Sequence, residues 1–186
     1  METQAQTEAS GSPELRSLDD LRALRERLSS DVDADTPTVV VCSGTACESS
    51  ESFRIIRSVK RHLLMNDLVD RVKLRVTGCH GFCEMGPFVL TEPQGAFYTR
   101  LHHYHVPRII DALLADRYVD ELLYRDPVTG EQHKNYEQIP FFGKQLRVLL
   151  QGNQEIDPIR MFDYISSGGY EALEKVLANP SPERIL

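Results

Sequence analysis

The residues with most chemical potential in this chain are its four cysteines, Cys42, Cys47, Cys79 and Cys83. They fall into two pairs, C-x4-C and C-x3-C, separated by thirty-one residues. Thiolates are soft ligands and suit iron–sulfur clusters and zinc. Three chemistries fit: a [2Fe–2S] cluster held by four thiolates, a structural four-cysteine zinc site, and dithiol–disulfide exchange. The last lacks the short C-x-x-C pair on which thiol exchange usually runs. Gly44, Gly78, Gly81 and Gly86 flank the cysteines. They suit a cluster, because inorganic sulfide needs backbone close by and glycine permits that approach. Backbone N–H groups in such loops can also bond the sulfurs and tune the potential.

Four thiols can meet only if the elements between them bring the two loops together. Thr38-Val39-Val40-Val41 reads as a buried strand that runs into Cys42. Val72 to Val76 alternates apolar and polar residues and reads as a second strand, running into the loop Gly78 to Pro87. Between them a helix is expected, capped by Ser49 or Ser50, with Phe53, Ile56, Val59 and Leu63 on its apolar face. Strands joined by a helix run parallel, so both cysteine loops should leave the same edge of the sheet.

Further on, Phe88-Val89-Leu90 and Ala96-Phe97-Tyr98 read as strands joined by a turn at Pro93-Gln94-Gly95. Pro107 opens a helix bearing Ile109, Ile110, Leu113 and Leu114. The order strand, helix, strand, strand, strand, helix resembles a thioredoxin-like sandwich of the α/β class over residues 37–118.

Residues 1–36 are expected to be a disordered tail and an amphipathic helix. That helix starts at the Ser17/Asp20 capping pair and carries Leu15, Leu18, Leu21, Leu24 and Leu28 on one stripe. It should pack on the domain behind it, followed by an acidic linker from Asp31 to Pro37. Residues 119–186 read as a connector and the start of something larger. It has a turn at Asp126 to Gly130, an apolar anchor at Ile139-Pro140-Phe141-Phe142 and a strand over Leu146 to Leu150. Residues 158–178 read as helix interrupted at Gly168-Gly169.

Composition excludes several classes. The chain has 186 residues, of which 41% are hydrophobic and 26% charged, as in ordinary globular proteins. Its formal charge of −7 is uneven: residues 1–36 hold nine acids and four bases, and the rest is nearly balanced. Without a basic stripe no nucleic-acid partner is expected. No apolar run approaches the ~18 residues of a membrane span, so no membrane insertion is expected. The first residues show no secretory signal, which makes the cytoplasm the expected compartment.

Other chemistry-bearing residues read more plainly. His80, between two cysteines, could donate to a sulfur, but is expected to be an exposed loop residue. His102, His103 and His105 are expected to form a solvated strand end, with no obvious carboxylate to complete a metal site. Phe82 and Met85 should shield the cysteine site, Phe88 should pack in the core and Glu84 should face water. Asp19, Asp20, Arg22, Arg25 and Arg27 read as a solvated helix face.

The two cysteine pairs, with Gly78-Cys79-His80-Gly81-Phe82-Cys83-Glu84-Met85-Gly86-Pro87, resemble the thioredoxin-like [2Fe–2S] ferredoxin family. Leu123 to Gly130, Ile139 to Gln145, Ile156-Asp157-Pro158, Asp163-Tyr164-Ile165 and Gly168 to Leu173 narrow the resemblance. They are similar to the N-terminal part of the NADH-binding flavoprotein subunits. These subunits occur in NAD-linked hydrogenases, formate dehydrogenases and bifurcating complexes, and are related to the flavoprotein of respiratory NADH dehydrogenase.

The resemblance implies a [2Fe–2S] cluster ligated by Cys42, Cys47, Cys79 and Cys83. It implies electron transfer within an NAD(H)-dependent oxidoreductase, with other subunits of that redox complex as partners; a homo-oligomer is compatible with it. FMN and NAD(H) would bind only in a complete family member or a partner subunit. Here the glycine-rich flavin segment and the C-terminal four-cysteine cluster do not follow, and no G-x-G-x-x-G occurs. The chain therefore reads as a fragment or shortened form that should not oxidise NADH alone. The alternative is a zinc-bound or metal-free module that docks other subunits.

Overall fold

The computed structural model describes residues 15–30 and 35–184. The expected tail and most of the acidic linker lie outside them. Helix α1 (Leu18–Ser30) begins where the capping pair puts it. The Asp20 N–H donates to Ser17 Oγ at 3.1 Å, and the Ser17 N–H donates to Asp20 Oδ2 at 2.9 Å. This reciprocal pair satisfies donors that a helix start leaves open.

The chain continues through β1 (Thr38–Cys42), α2 (Thr45–Ser49), α3 (Ser52–Met65) and β2 (Lys73–Thr77). Then come β3 (Val89–Glu92), β4 (Ala96–Tyr98) and α4 (Val106–Leu114). Among the described residues the four strands form one sheet in the order β2-β1-β3-β4. β1 and β2 are parallel, with Cys42 opposite Thr77. β1 pairs with β3, and β3 with β4, in antiparallel fashion. The helical crossover makes the parallel pair, and the tight turn at residues 93–95 makes the antiparallel hairpin.

Side chains of β1 alternate between two cores, as a strand requires. Val39 and Val41 pack with Ile55 and Val59 of α3 and Ile109, Ile110 and Leu113 of α4. Val40 and Cys42 pack on the opposite face with Phe88, Leu90, Phe97, Tyr124, Ile139 and Phe142. All five residues of β1 are buried, which explains its unbroken valine run.

The second face is covered largely by the connector. Leu123 bridges Tyr98 at the edge of the sheet, and the Tyr124 N–H donates to the Phe97 carbonyl at 2.9 Å. The expected anchor forms α5 (Pro140–Gly143), which seats Phe142 with its ring centroid 5.6 Å from that of Phe97. Ile139 is 0% exposed, whereas Leu146 is 94% exposed. Ile139→Ala is therefore expected to cost about 2–5 kcal/mol of stability. Leu146→Ala should stay within about 0.5 kcal/mol. Urea unfolding of the two variants measures the contrast.

Three expectations about the elements and their surfaces need correction. The helix after Cys47 is broken into α2 and α3 by Glu51, whose φ of 69° lies in the left-handed region. Ser49 therefore ends α2 instead of capping the longer helix. Val59 and Leu63 are buried as expected and Ile56 packs partly on the core, but Phe53 is exposed and Ser52 and Ile55 are buried in addition. Leu146 to Leu150 forms no strand, and Val148 and Leu149 are exposed alongside Leu146. The β4 edge that such a strand could join is already met by Leu123 and Asn135.

Arg22 and Arg25 are not simply solvated, because both bond Glu174 of α7 (Glu171–Ala178). Arg25 also donates to the Gly169 carbonyl at 3.0 Å. α1 packs on α6 (Met161–Ser166), so its leucine stripe covers the C-terminal helices. These two helices flank Gly168-Gly169 as the sequence indicates. No helix among the described residues is long and apolar enough to cross a membrane.

Candidate metal centre

The parallel pairing of β1 and β2 brings both cysteine loops to one edge of the sheet. Beyond the Cys42–Thr77 register the Ser43 N–H still donates to the Thr77 carbonyl at 2.9 Å, so the strands part only at the site. Cys42 ends β1, Cys47 lies on α2, and Cys79 and Cys83 lie on the loop after β2. Cys42 and Cys47 are buried, Cys79 is half-buried and Cys83 is exposed. The site thus has a buried wall and an open side.

The thiols form two pairs. Cys79 Sγ and Cys83 Sγ are 3.6 Å apart. Cys42 and Cys47 influence each other's titration most strongly, with Cys47 acting as the donor. This pairing lowers the Cys42 thiol to about 6 against the opposing effect of burial, and the Gly44 and His80 N–H groups lower it further. The same pairing, then burial, pushes Cys47 up, and the neighbouring Cys42, Cys83 and Cys79 sulfurs add to this. The other three sulfurs therefore lie within electrostatic reach of Cys47. Burial and the Cys79 contact likewise raise the Cys83 thiol.

The glycines set how closely the loops approach. A Cβ on Gly44 would lie 2.9 Å from Cys79 Cβ and 3.2 Å from Cys79 Cα. A Cβ on Gly86 would lie 3.0 Å from Cys47 Sγ. At Gly44 the neighbouring loop would have to shift to admit a side chain, while at Gly86 Cys47 Sγ would have to give by a few tenths of an ångström. Backbone donors line the sulfurs: the Gly81 N–H donates to Cys79 Sγ at 3.3 Å, and Gly44 and His80 supply Cys42. A four-thiolate donor set with N–H groups on its sulfurs fits a [2Fe–2S] unit.

His80 is not exposed, contrary to expectation; it is 0% exposed. Its Nε2 lies 2.7 Å from Thr77 Oγ1, and its ring stands edge-on to Phe88 at 5.1 Å. Burial, with Arg147 nearby, lowers its imidazole to about 4, so it is neutral at physiological pH. Phe82 and Met85 are buried beside the site, and Glu84 faces water. Phe82 stacks on Phe141 with centroids 4.2 Å apart. His102, His103 and His105 surround a short 3₁₀ turn, where the His102 N–H donates to His105 Nδ1 at 3.1 Å. Among the described residues no group of three or more His, Cys, Asp or Glu side chains is placed to hold a single metal ion.

Two connector residues reach the site without any local sequence signal. Arg147 Nη2 donates to the His80 carbonyl at 2.7 Å, and Asn153 Nδ2 donates to the Cys79 carbonyl at 3.1 Å. These contacts span 67 and 74 residues. No local pattern could signal them.

Residues 30–114 match the family model of the thioredoxin-like [2Fe–2S] ferredoxins. A [2Fe–2S] ferredoxin of Clostridium pasteurianum is 32% identical over 66 residues, covering 36% of this chain. The match spans 65% of that ferredoxin's own length. Among solved structures, the wild-type thioredoxin-like [2Fe–2S] ferredoxin of Aquifex aeolicus is 22% identical. It covers 50% of this chain and 100% of its own, with a TM-score of 0.44. A second structure of an Aquifex aeolicus ferredoxin of this type is 21% identical and covers 54% of this chain and 100% of its own, with a TM-score of 0.44. The chain contains a thioredoxin-like [2Fe–2S] ferredoxin domain in an α/β fold, with an N-terminal helix and a C-terminal connector. The family match takes in all four cysteines, which lie within residues 30–114.

Proposed function

We propose that this protein transfers single electrons through a [2Fe–2S] cluster held by Cys42, Cys47, Cys79 and Cys83. The observation that carries the reading is the meeting of two cysteine pairs at one sheet edge, in a cradle where a Cβ at Gly44 would come within 2.9 Å of Cys79 Cβ. Each iron of a [2Fe–2S] unit takes two protein ligands, so two pairs are the arrangement it needs. When bound, the cluster supplies one-electron redox chemistry. The chain's own part is to hold the sulfurs, direct N–H groups at them and exclude water on the buried side. Phe82, Met85 and Phe88 do the last of these. The exposed Cys83 leaves an edge through which a partner can exchange electrons.

The larger setting we propose is an NAD(H)-dependent oxidoreductase complex, of NADH dehydrogenase, hydrogenase or formate dehydrogenase type. FMN and NAD(H) would reside in a partner subunit or a longer relative, and the partners would be other subunits of that complex. The sequence stretches from Leu123 to Leu173 that resemble flavoprotein subunits support this setting.

The test is an anaerobic visible spectrum with iron and sulfide analysis of the purified chain. The expected result is a red-brown protein with about two irons and two sulfides, bleaching on reduction. One zinc and no visible band would replace the electron carrier with a structural module.

A further inference from the structure

Both connector side chains at the site grip carbonyls, and the amides behind those carbonyls point at sulfur. The peptide between Cys79 and His80 accepts Asn153 Nδ2 on its oxygen at 3.1 Å, and its N–H is one of the groups that lower the Cys42 thiol. The peptide between His80 and Gly81 accepts Arg147 Nη2 on its oxygen at 2.7 Å, and its N–H donates to Cys79 Sγ at 3.3 Å. Each amide is thus held at one end by the connector and spent on a candidate ligand at the other.

Arg147 is itself fixed, with its guanidinium carbon 4.8 Å from the centroid of the Phe142 ring. Its buried Nη1 has no acceptor among the described residues. Asn153 lies against Gly78, where a Cβ would approach its side chain to 3.4 Å.

We propose that Arg147 and Asn153 are positioning residues that set the reduction potential of the cluster through these two amides. The inference rests on the cluster reading above and assigns the connector a role in it. A donor on a carbonyl polarises the amide and strengthens the hydrogen bond its N–H makes. Stronger N–H···S bonds, and the Arg147 charge itself, favour the more negative, reduced cluster. Both residues therefore raise the potential.

The test is a mediated redox titration of the wild-type chain and of R147Q, R147K and N153A. At the wild-type midpoint, R147Q is expected to hold about tenfold less reduced cluster relative to oxidised, a lowering of about 59 mV for one electron. N153A should move the same way by a smaller factor, about threefold. R147K should recover part of the R147Q loss, because it keeps the charge without the planar fork.

Potential does not depend on how much cluster survives, so partial loss leaves the measurement intact. Wild-type potentials in both R147Q and N153A would overturn the inference, whatever happens to stability. For a variant that holds no cluster, hydrogen exchange on the cluster-free chains decides. The His80 and Gly81 amides must exchange faster in the variant than in the wild type, and equal rates overturn the inference. A colourless wild type would remove the cluster reading instead, and the exchange comparison would still show whether the connector orders these amides.

Discussion

Cys42→Ala is expected to abolish the visible spectrum and to leave iron and sulfide at background, in a chain that still folds. Of the four cysteines, Cys42 is the one most committed to the site. It is 1% exposed, ends the central strand and receives N–H groups from both Gly44 and His80. An alanine there leaves those donors without their sulfur and one iron without a ligand. The cost to the fold is far smaller, about 1 kcal/mol, since one small buried side chain is shortened next to a large aromatic core.

Far-ultraviolet circular dichroism and thermal unfolding measure the fold, and metal analysis measures the site. If C42A keeps two irons, Cys42 is not a ligand and the proposed set is wrong. The same variant separates the competing chemistries: disulfide exchange predicts a colourless wild type whose reductase activity disappears in C42A. A zinc site predicts loss of one zinc with no change in colour.

How much of this was legible in the sequence depended on how local the signal was. The valine run at 39–41 and the alternation at 72–76 each report a strand by themselves, and the parallel pairing follows from the helix between. That pairing alone places two cysteine loops at one edge. The capping pair at Ser17 and Asp20 acts over three residues and was equally readable. The helix after Cys47 keeps the expected Ile56, Val59 and Leu63 against the core, but the left-handed Glu51 starts it afresh at Ser52 and leaves Phe53 in solvent, and nothing in the residue type announces that break.

His80 departs from its sequence pattern for a different reason. A histidine in a glycine-rich loop looks solvated, yet its burial depends on Thr77 and Phe88, which only the fold brings to it. Leu146 to Leu150 has a strand's composition, but the β4 edge beside the connector is already met by Leu123 and Asn135. Its neighbours Arg147 and Asn153 act instead on the cysteine loop, across separations where sequence pattern carries no information.

Gly44→Ala is expected to lower cluster affinity or occupancy by about 10–100-fold, the range seen when groups supporting a metal site are displaced. The reason is steric and specific. Gly44 has φ −65° and ψ 156°, which alanine adopts freely, so the substitution introduces no backbone strain of its own. The added methyl instead meets Cys79 Cβ at 2.9 Å and Cys79 Cα at 3.2 Å. These atoms belong to the other cysteine loop and cannot rotate away, so the two loops must separate. That separation moves one pair of sulfurs from the other and displaces the Gly44 N–H that serves Cys42.

Gly152→Ala is the control, because a Cβ there meets nothing within 4 Å. It should leave cluster content unchanged. Competition with a chelator, followed by loss of visible absorbance, measures both variants against the wild type. Equal rates of cluster loss in G44A and wild type would show that the loops need not meet closely. The cradle argument for the site would then fail while the fold remained intact.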